Sequence, residues 1–178
     1  MPDATELVDR RILITGLTGQ VGRPVAVALA RQNTVIGVAR FGDDAIRSEL
    51  EAAGVECVVA DLGTGVLNTV PSDVDHVLNF AVAKVGRWDD DLAANVEGLG
   101  FLLQHCGSAR SFLHCSSTAV YAPKGHEPIA ETDPLGDNHR VMMPTYSINK
   151  IAAESMARFC ARSLGVPTTI ARLNVPYG

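Results

Sequence analysis

A glycine-rich turn near the start of the chain constrains its fold more than any other feature of the sequence. The apolar, strand-like run 11–15 is followed by Gly16, Gly19 and Gly22, and then by apolar residues at helical spacing. In such a turn the first glycine bends the chain, the second lets a pyrophosphate approach the backbone, and the third lets helix and strand pack closely. The helix N-terminus also presents free N–H groups and a favourable dipole to phosphates. The turn therefore predicts a dinucleotide-binding site made by Gly16, Thr18, Gly19, Gln20, Val21 and Gly22.

Strand-like and helical segments alternate along the sequence. After the first strand, strands are predicted at 34–39, 56–60, 74–80, 111–115 and 168–173. Helices are predicted after the glycines and at 45–53, 88–106 and 144–162. This alternation predicts an α/β fold of the Rossmann type, in which helices cover both faces of a doubly wound, mostly parallel sheet and ligands bind at the carboxyl ends of the strands. The length of 178 residues fits one domain, 1–178.

Charge and composition exclude several classes of protein. The formal charge of −5 and the pI of about 5.5 provide no basic surface for nucleic acid. No apolar run approaches the length of a membrane span, and residues 1–11 lack the pattern of a secretory signal. The cysteines lack metal-ligand spacing, which favours free thiols in a reducing compartment: Cys57, Cys106, Cys115 and Cys160. We therefore expect a cytoplasmic protein without a metal site that binds neither nucleic acid nor membranes.

Residues that follow the predicted strands are further candidates for cofactor contacts. Arg40 follows the second strand, where NAD-binding folds usually carry an acidic residue. A guanidinium there can pair with a 2′-phosphate, which favours NADP over NAD. A solvated surface arginine would look the same in the sequence. Asp61, next to Leu62 after the third strand, would either accept a hydrogen bond from adenine or cap the following turn. The residues that would lie against the nicotinamide ribose after the fourth strand are Phe80, Ala81 and Val82.

A tyrosine and a lysine four residues apart are the candidate catalytic pair. Tyr146 and Lys150 lie in a predicted helix, so they share one face. A cation beside a phenol lowers the phenol pKa from about 10, which brings it within reach of acid/base work near neutral pH. Ser116 and Ser117 follow the fifth strand, where they would either hold a substrate oxygen or form a hydroxyl-rich turn. Asn95 lies within a predicted helix, where asparagine is usually exposed.

Taken together, these motifs make the chain resemble an extended short-chain dehydrogenase/reductase of the NAD-dependent epimerase/dehydratase kind over essentially its whole length. The matching stretches are Thr15-Gly16-x-x-Gly19-x-x-Gly22, Asp61-Leu62, Asn79-Phe80-Ala81, Ser116-Ser117-Thr118-Ala119-Val120-Tyr121, Tyr146-x-x-x-Lys150 and Arg172-Leu173-Asn174-Val175-Pro176-Tyr177-Gly178. Two positions depart from the family pattern: Arg40, where NAD-using members often have an acid, and Asn79, where many members have histidine.

The resemblance implies a role for each catalytic candidate. Tyr146 would be the general acid/base, and Lys150 would lower its pKa and bind the nicotinamide ribose. Ser117 would be the hydroxyl partner of Tyr146, with Ser116 as its rival. Asn95 would match the helix asparagine that helps to position the active site.

The resemblance also implies an activity. A single hydride transfer between the substrate carbon and the nicotinamide gives a dehydrogenase or reductase. If the hydride is later returned to the bound intermediate, the enzyme is an epimerase or dehydratase that acts on a nucleotide sugar. A non-catalytic dinucleotide-binding sensor is the alternative, since fold alone does not define function, but the serine, tyrosine and lysine together favour an enzyme. The polar segment 125–143 is expected to be a loop near the substrate.

Two expectations concern the rest of the assembly. The family continues beyond the closing motif with most of its substrate-binding domain, so we expect this chain to be the N-terminal portion of a longer enzyme, able to bind cofactor without turnover on its own. Relatives often pair two helices in a dimer, so we expect a homodimer through segments 88–106 and 145–164.

Overall fold

Six parallel strands form one sheet in the computed structural model, which describes residues 7–137 and 140–175. The sheet order is β3-β2-β1-β4-β5-β6. The strands are β1 (Arg11–Thr15), β2 (Thr34–Ala39), β3 (Val55–Val59), β4 (His76–Asn79), β5 (Ser111–Ser117) and β6 (Thr168–Leu173). The predicted Rossmann-type sheet is therefore confirmed.

The helices lie between the strands, as the alternation predicted. They are α1 (Gly22–Leu29), α2 (Asp44–Ala52), α3 (Trp88–Leu92), α4 (Gly98–His105) and α5 (Tyr146–Leu164). A π-helical turn, Ala93–Glu97, joins α3 to α4, and short 3-10 turns span Leu62–Thr64 and Thr118–Val120. None of the helices in the described ranges combines the length and the apolar character needed to cross a membrane.

Side chains alternate between the two faces of the sheet, and each face carries a separate core. On β1, Leu13 packs with the residues of α4 and α5, whereas Ile12 and Ile14 pack against the α1 and α2 side with Leu50. Because successive strand residues point to opposite faces, a strand buried on both sides must be apolar throughout. This explains why β1 and β2 are nearly continuous apolar runs, and the two cores confirm that helices cover both faces.

Several boundaries differ from those expected, among them that of β4, which spans only His76–Asn79, and three of the differences have a local reason. β5 continues to Ser117, because Ser116 and Ser117 pair with β6. The helix expected at 88–106 is interrupted by the π-helical turn, within which Asn95 donates a hydrogen bond to the backbone oxygen of Asp91. α5 begins two residues late and continues to Leu164, where Gly165 ends it in a left-handed conformation. Residues 138 and 139 of the expected loop lie outside the described residues.

The direction of chain progression reverses beside β1, which has β2 on one side and β4 on the other. At such a reversal, the loops that leave the carboxyl ends of neighbouring strands turn to opposite faces and leave a crevice between them. The glycine turn follows β1, and the segment that begins with Phe80 follows β4. The fold therefore places these two predicted segments at one crevice.

Candidate active site

The glycine turn is packed so closely that two of its glycines admit no side chain. A Cβ atom added to Gly16 would lie 2.5 Å from the backbone nitrogen of Ala81, and the backbone of Gly16 has a φ of +68°. A Cβ added to Gly22 would lie 2.6 Å from the carbonyl oxygen of Gly16. At Gly19 the nearest obstacle is 3.3 Å away. The turn is therefore packed most closely at Gly16 and Gly22, whereas a Cβ at Gly19 would need only a small shift of the Gly16 carbonyl.

The N-terminus of α1 points its backbone at the same opening. Its preceding residue, Val21, makes no side-chain capping bond; the N–H of Arg23 donates to the carbonyl oxygen of Gly19 at 3.1 Å, so an anion would be bound by the other N–H groups of the first turn. Close backbone packing next to an open, uncapped helix start is the geometry that a pyrophosphate requires. The residues present therefore fit a dinucleotide.

A first cleft extends from the glycine turn towards β2 and β3. It is lined by Gly16, Thr18, Val38, Ala39, Arg40, Ala60, Asp61, Leu62, Gly63, Ala81, Val82, Ala83 and Ala94. The Arg40 side chain is exposed at this cleft. Oδ1 of Asp61 accepts a hydrogen bond from the backbone nitrogen of Gly63 at 3.0 Å, which is the capping contact left open by the sequence. Asp61 therefore caps the turn and also borders the cleft.

A second cleft adjoins the first at Val82 and contains the predicted catalytic residues. It is lined by Gln20, Val21, Phe80, Val82, Lys84, Cys115, Ser116, Ser117, Thr118, Ala119, Met143, Tyr146, Lys150, Leu173, Asn174 and Val175. The fold thus brings Ser117, Tyr146 and Lys150 together although they come from two different elements, β5 and α5.

Lys150 lines this cleft but is largely buried, and it is bonded to the sheet. Its Nζ donates a hydrogen bond to the backbone oxygen of Cys115 at 2.8 Å. Burial lowers the pKa of the Lys150 ammonium, and the positive charge of Lys84 lowers it further, whereas the charges of Cys115 and Glu154 oppose the shift. The bond to β5 therefore fixes the position of the ammonium in the cleft.

A second lysine contacts the candidate acid/base and was missed by the sequence interpretation. Lys84 Nζ lies 4.8 Å from the centroid of the Tyr146 ring, within the range of a cation–π contact. Lys84 belongs to the loop that follows β4. The position of Lys84 after a predicted strand marked it as a residue near the site, but the sequence could not show that it would face the aromatic ring of Tyr146.

The two serines at the end of β5 have different partners. Ser116 is buried, and its Oγ donates a hydrogen bond to Glu154 Oε1 at 2.7 Å. Ser117 is half-buried, and its Oγ accepts a hydrogen bond from the backbone nitrogen of Ala119 at 3.2 Å. The hydroxyl proton of Ser116 is therefore used inside the protein, whereas that of Ser117 is not used by this contact. This difference favours Ser117 over Ser116 as the hydroxyl partner of Tyr146.

A buried carboxylate beneath the site joins α5 to β6. Glu154 accepts hydrogen bonds from Arg172 at 2.9 and 2.8 Å and from Arg158 at 3.0 Å, besides the bond from Ser116. Burial alone would raise the pKa of Glu154, but the bonds from Arg172 and Ser116 outweigh it and hold the pKa below its usual value. The sequence interpretation used Arg172 only as part of a motif and missed Glu154, which lies two turns of helix beyond Tyr146.

Asn95 is not among the residues that line either cleft in the described structure. Its side-chain amide instead accepts from the backbone nitrogen of Ala83 at 2.8 Å and donates to the Ala83 oxygen at 2.9 Å. Asn95 therefore contacts the loop after β4, and it is this loop that borders the clefts.

Within the described ranges there is no group of three or more His, Cys, Asp or Glu residues that could hold a metal ion.

A parallel sheet of this order, with a glycine turn at its reversal point, defines a dinucleotide-binding protein of the doubly wound class. The model of the NAD dependent epimerase/dehydratase family matches residues 12–178. The chain therefore belongs to the NAD dependent epimerase/dehydratase family.

Individual relatives agree with this family. UDP-glucuronate 4-epimerase 1 from Arabidopsis thaliana is 28% identical over 188 residues, which cover 94% of this chain and 42% of the plant protein. The structure of UDP-glucuronic acid 4-epimerase from Bacillus cereus in complex with NAD superposes with a TM-score of 0.80 at 21% identity, covering 94% of this chain and 57% of that one. The structure of dTDP-glucose 4,6-dehydratase from Bacillus anthracis in complex with NAD superposes with a TM-score of 0.77 at 21% identity, covering 95% of this chain and 56% of that one. This chain thus spans about half the length of these relatives.

Proposed function

We propose that this chain forms the dinucleotide-binding and catalytic unit of an NAD(P)-dependent enzyme that epimerises or dehydrates a nucleotide sugar. The observation that carries the proposal is the convergence of Ser117, Tyr146 and Lys150 on one cleft, which adjoins the cleft of the glycine turn. A dinucleotide sensor would need the cleft of the glycine turn but not the three catalytic candidates. The catalytic roles below are likewise proposals.

A bound nicotinamide dinucleotide would supply reversible oxidation of one substrate carbon. The phenol oxygen of Tyr146 would take the proton of the substrate hydroxyl as that carbon is oxidised and return it on reduction. Ser117 would donate its hydroxyl proton to the same substrate oxygen and hold it in line with the phenol. Lys150 would stabilise negative charge on the phenol oxygen from the next turn of the helix and hold the cofactor ribose.

The substrate class follows from the relatives. The names of those described above include a UDP-glucuronate epimerase and a dTDP-glucose dehydratase, both of which act on a sugar carried by a nucleotide. Both reactions use the oxidation that Tyr146 would assist, so the arrangement supports either one. We therefore propose a nucleotide sugar with an oxidisable ring hydroxyl as substrate.

The cofactor that we propose is NAD or NADP. The two solved relatives described above are complexes with NAD. In this chain the exposed Arg40 guanidinium borders the first cleft, which supports binding of a 2′-phosphate. The relative affinities for the two dinucleotides decide between them.

We further propose that the protein forms a homodimer through α4 and α5. These helices expose large apolar side chains, namely Phe101 on α4 and Ile148 and Phe159 on α5. Exposed apolar side chains on adjacent helices favour association with a second copy. Sedimentation equilibrium should give a dimer whose dissociation constant rises on Phe159→Asp, and a monomeric wild type would refute this.

The direct test of the function is a reaction. The protein is incubated with NAD or NADP and with UDP-glucuronate or dTDP-glucose, and the sugar products are resolved by chromatography and NMR. An epimer or a 4-keto-6-deoxy sugar supports the proposal. Tight dinucleotide binding without conversion of any nucleotide sugar, in a protein long enough to carry a substrate domain, would support the sensor instead.

A further inference from the structure

The loop between β4 and α3 is held in place by two side chains one helical turn apart. Asn95 bonds to both backbone groups of Ala83, as described above. Asp91 accepts hydrogen bonds from the backbone nitrogens of Val85 at 2.8 Å and Gly86 at 3.0 Å. Lys84 lies between these anchored residues, and its Nζ faces the ring of Tyr146. Asp91 and Asn95 thus hold the loop that carries Lys84.

Asp91 also bonds to the segment that carries Tyr146. Its Oδ2 accepts a hydrogen bond from the hydroxyl of Thr145 at 2.6 Å, a link between residues 54 positions apart in the chain. Thr145 immediately precedes α5, whose first residue is Tyr146. One carboxylate therefore contacts both the loop of Lys84 and the start of the helix of Tyr146.

The bonds to Asp91 matter energetically because the carboxylate is fully buried. A buried charge is stable only when hydrogen bonds replace the water that it has lost. Burial would raise the pKa of Asp91, but the bonds from Thr145, Val85 and Gly86 outweigh burial and hold the pKa below its usual value. The ionised carboxylate thus depends on donors from both segments, so the loss of one donor weakens the hold on the other.

We propose that Asp91 is a positioning residue of the active site: its buried carboxylate couples the loop 83–86 to the start of α5 and thereby sets Lys84 against the ring of Tyr146. The effect on turnover rests on the function proposed above, whereas the coupling itself is a property of the fold. Sequence reasoning did not single out Asp91, which follows two other aspartates at the start of α3.

The coupling is tested at Thr145, which touches the carboxylate but does not line either cleft in the described structure. Thr145→Val removes the hydroxyl with little change in shape, and Thr145→Ser keeps it. Amide hydrogen exchange is measured at Val85 and Gly86, which are far from residue 145 in sequence. We expect exchange at both amides to be about tenfold faster in Thr145→Val, since a bond to a charged acceptor is lost, and close to wild type in Thr145→Ser.

Global destabilisation is separated from local coupling by the amides of Ile12 and Leu13 in β1, whose exchange should not change under the same conditions. If Thr145→Val does not fold, Thr145→Ala is measured in the same way against Thr145→Ser. Unchanged exchange at Val85 and Gly86 in the variant without the hydroxyl would overturn the proposal. Equal acceleration in the valine and serine variants would overturn it as well.

Turnover provides the second readout. In the active enzyme, we expect Thr145→Val to lower kcat about tenfold while KM and the dinucleotide Kd stay near wild type, and Thr145→Ser to restore kcat. Faster exchange with unaltered kcat would show that Asp91 serves the fold only, and would overturn the positioning role. A wild-type enzyme without turnover would contradict the proposed function instead, and the exchange data would then decide the coupling alone.

Discussion

Asn79 on β4 donates a hydrogen bond from Nδ2 to Nδ1 of His114, its neighbour on β5, at 3.2 Å. The orientation of the amide is set by its oxygen, which accepts from the Thr15 hydroxyl at 2.5 Å. His114 must therefore carry its proton on Nε2, which is buried without a hydrogen-bond partner among the described residues. Burial, and secondarily the charge of Lys150, lowers the pKa of His114 to about 3. His114 is therefore a packed residue of the sheet.

This histidine should make stability depend on pH in the mildly acidic range. In the unfolded chain a histidine binds a proton below about pH 6.5, whereas folded His114 stays neutral down to about pH 3. The unfolded state therefore binds more protons within this window, and the free energy of unfolding falls by about 1.4 kcal/mol for each pH unit below about 6.5. Urea unfolding between pH 7 and 5 should show this slope, and His114→Gln should flatten it.

The matched control for this prediction is His126→Gln, since His126 is exposed in the loop after β5. This variant should keep the wild-type slope. A slope that survives in His114→Gln would show that other groups cause the pH dependence.

Removal of the charge of Glu154 should destabilise the fold strongly. Glu154→Gln leaves the largely buried guanidinium of Arg172 without its counter-ion, and breaking a buried pair in this way costs about 3–5 kcal/mol. The same substitution at Glu51, whose pair with Arg47 is exposed, should cost less than about 1 kcal/mol. Chemical denaturation of both variants measures the difference, and similar costs at the two sites would contradict the buried role of Glu154.

The glycine turn should lose dinucleotide affinity when Gly19 carries a side chain. Gly19→Val would place a side chain where the pyrophosphate approaches the turn and should weaken dinucleotide binding by at least about tenfold, or about 1.4 kcal/mol. The new Cβ would lie 3.3 Å from the Gly16 oxygen, a contact that a small shift relieves, so the chain should still fold. Gly42→Val is the control, because a Cβ at Gly42 has no heavy atom within 4 Å. Isothermal titration calorimetry measures both affinities. Normal binding by Gly19→Val would place the pyrophosphate elsewhere.

Arg40 should affect only the cofactor with a 2′-phosphate. A bond between a guanidinium and a phosphate is charge-assisted, so Arg40→Ala should weaken NADP binding by about tenfold and leave NAD binding nearly unchanged. The Kd values of both dinucleotides are compared in wild type and variant. An unchanged ratio of the two affinities would show that Arg40 is a solvated surface residue.

The sequence predicted the parts of the site that local patterns specify. The glycines have a role set by the turn itself, and Tyr146 and Lys150 have a spacing set by one helix, so both could be placed before the fold was known. The preference for Ser117 over Ser116 came from the family resemblance and not from a local pattern, because the difference between the two serines depends on Glu154, which contacts β5 only after α5 has packed on the sheet. Asp91 and Lys84 were missed for the same reason, since their partners, Thr145 and Tyr146, lie far along the chain.

The most direct test of the whole account is turnover by Tyr146→Phe in the complete enzyme, measured with the dinucleotide affinity of the same variant. Loss of the phenol oxygen removes the proposed proton acceptor but leaves the glycine turn intact. We predict that conversion of the nucleotide sugar falls by at least about a hundredfold while the dinucleotide Kd changes by less than about threefold. Wild-type turnover by Tyr146→Phe would contradict the account.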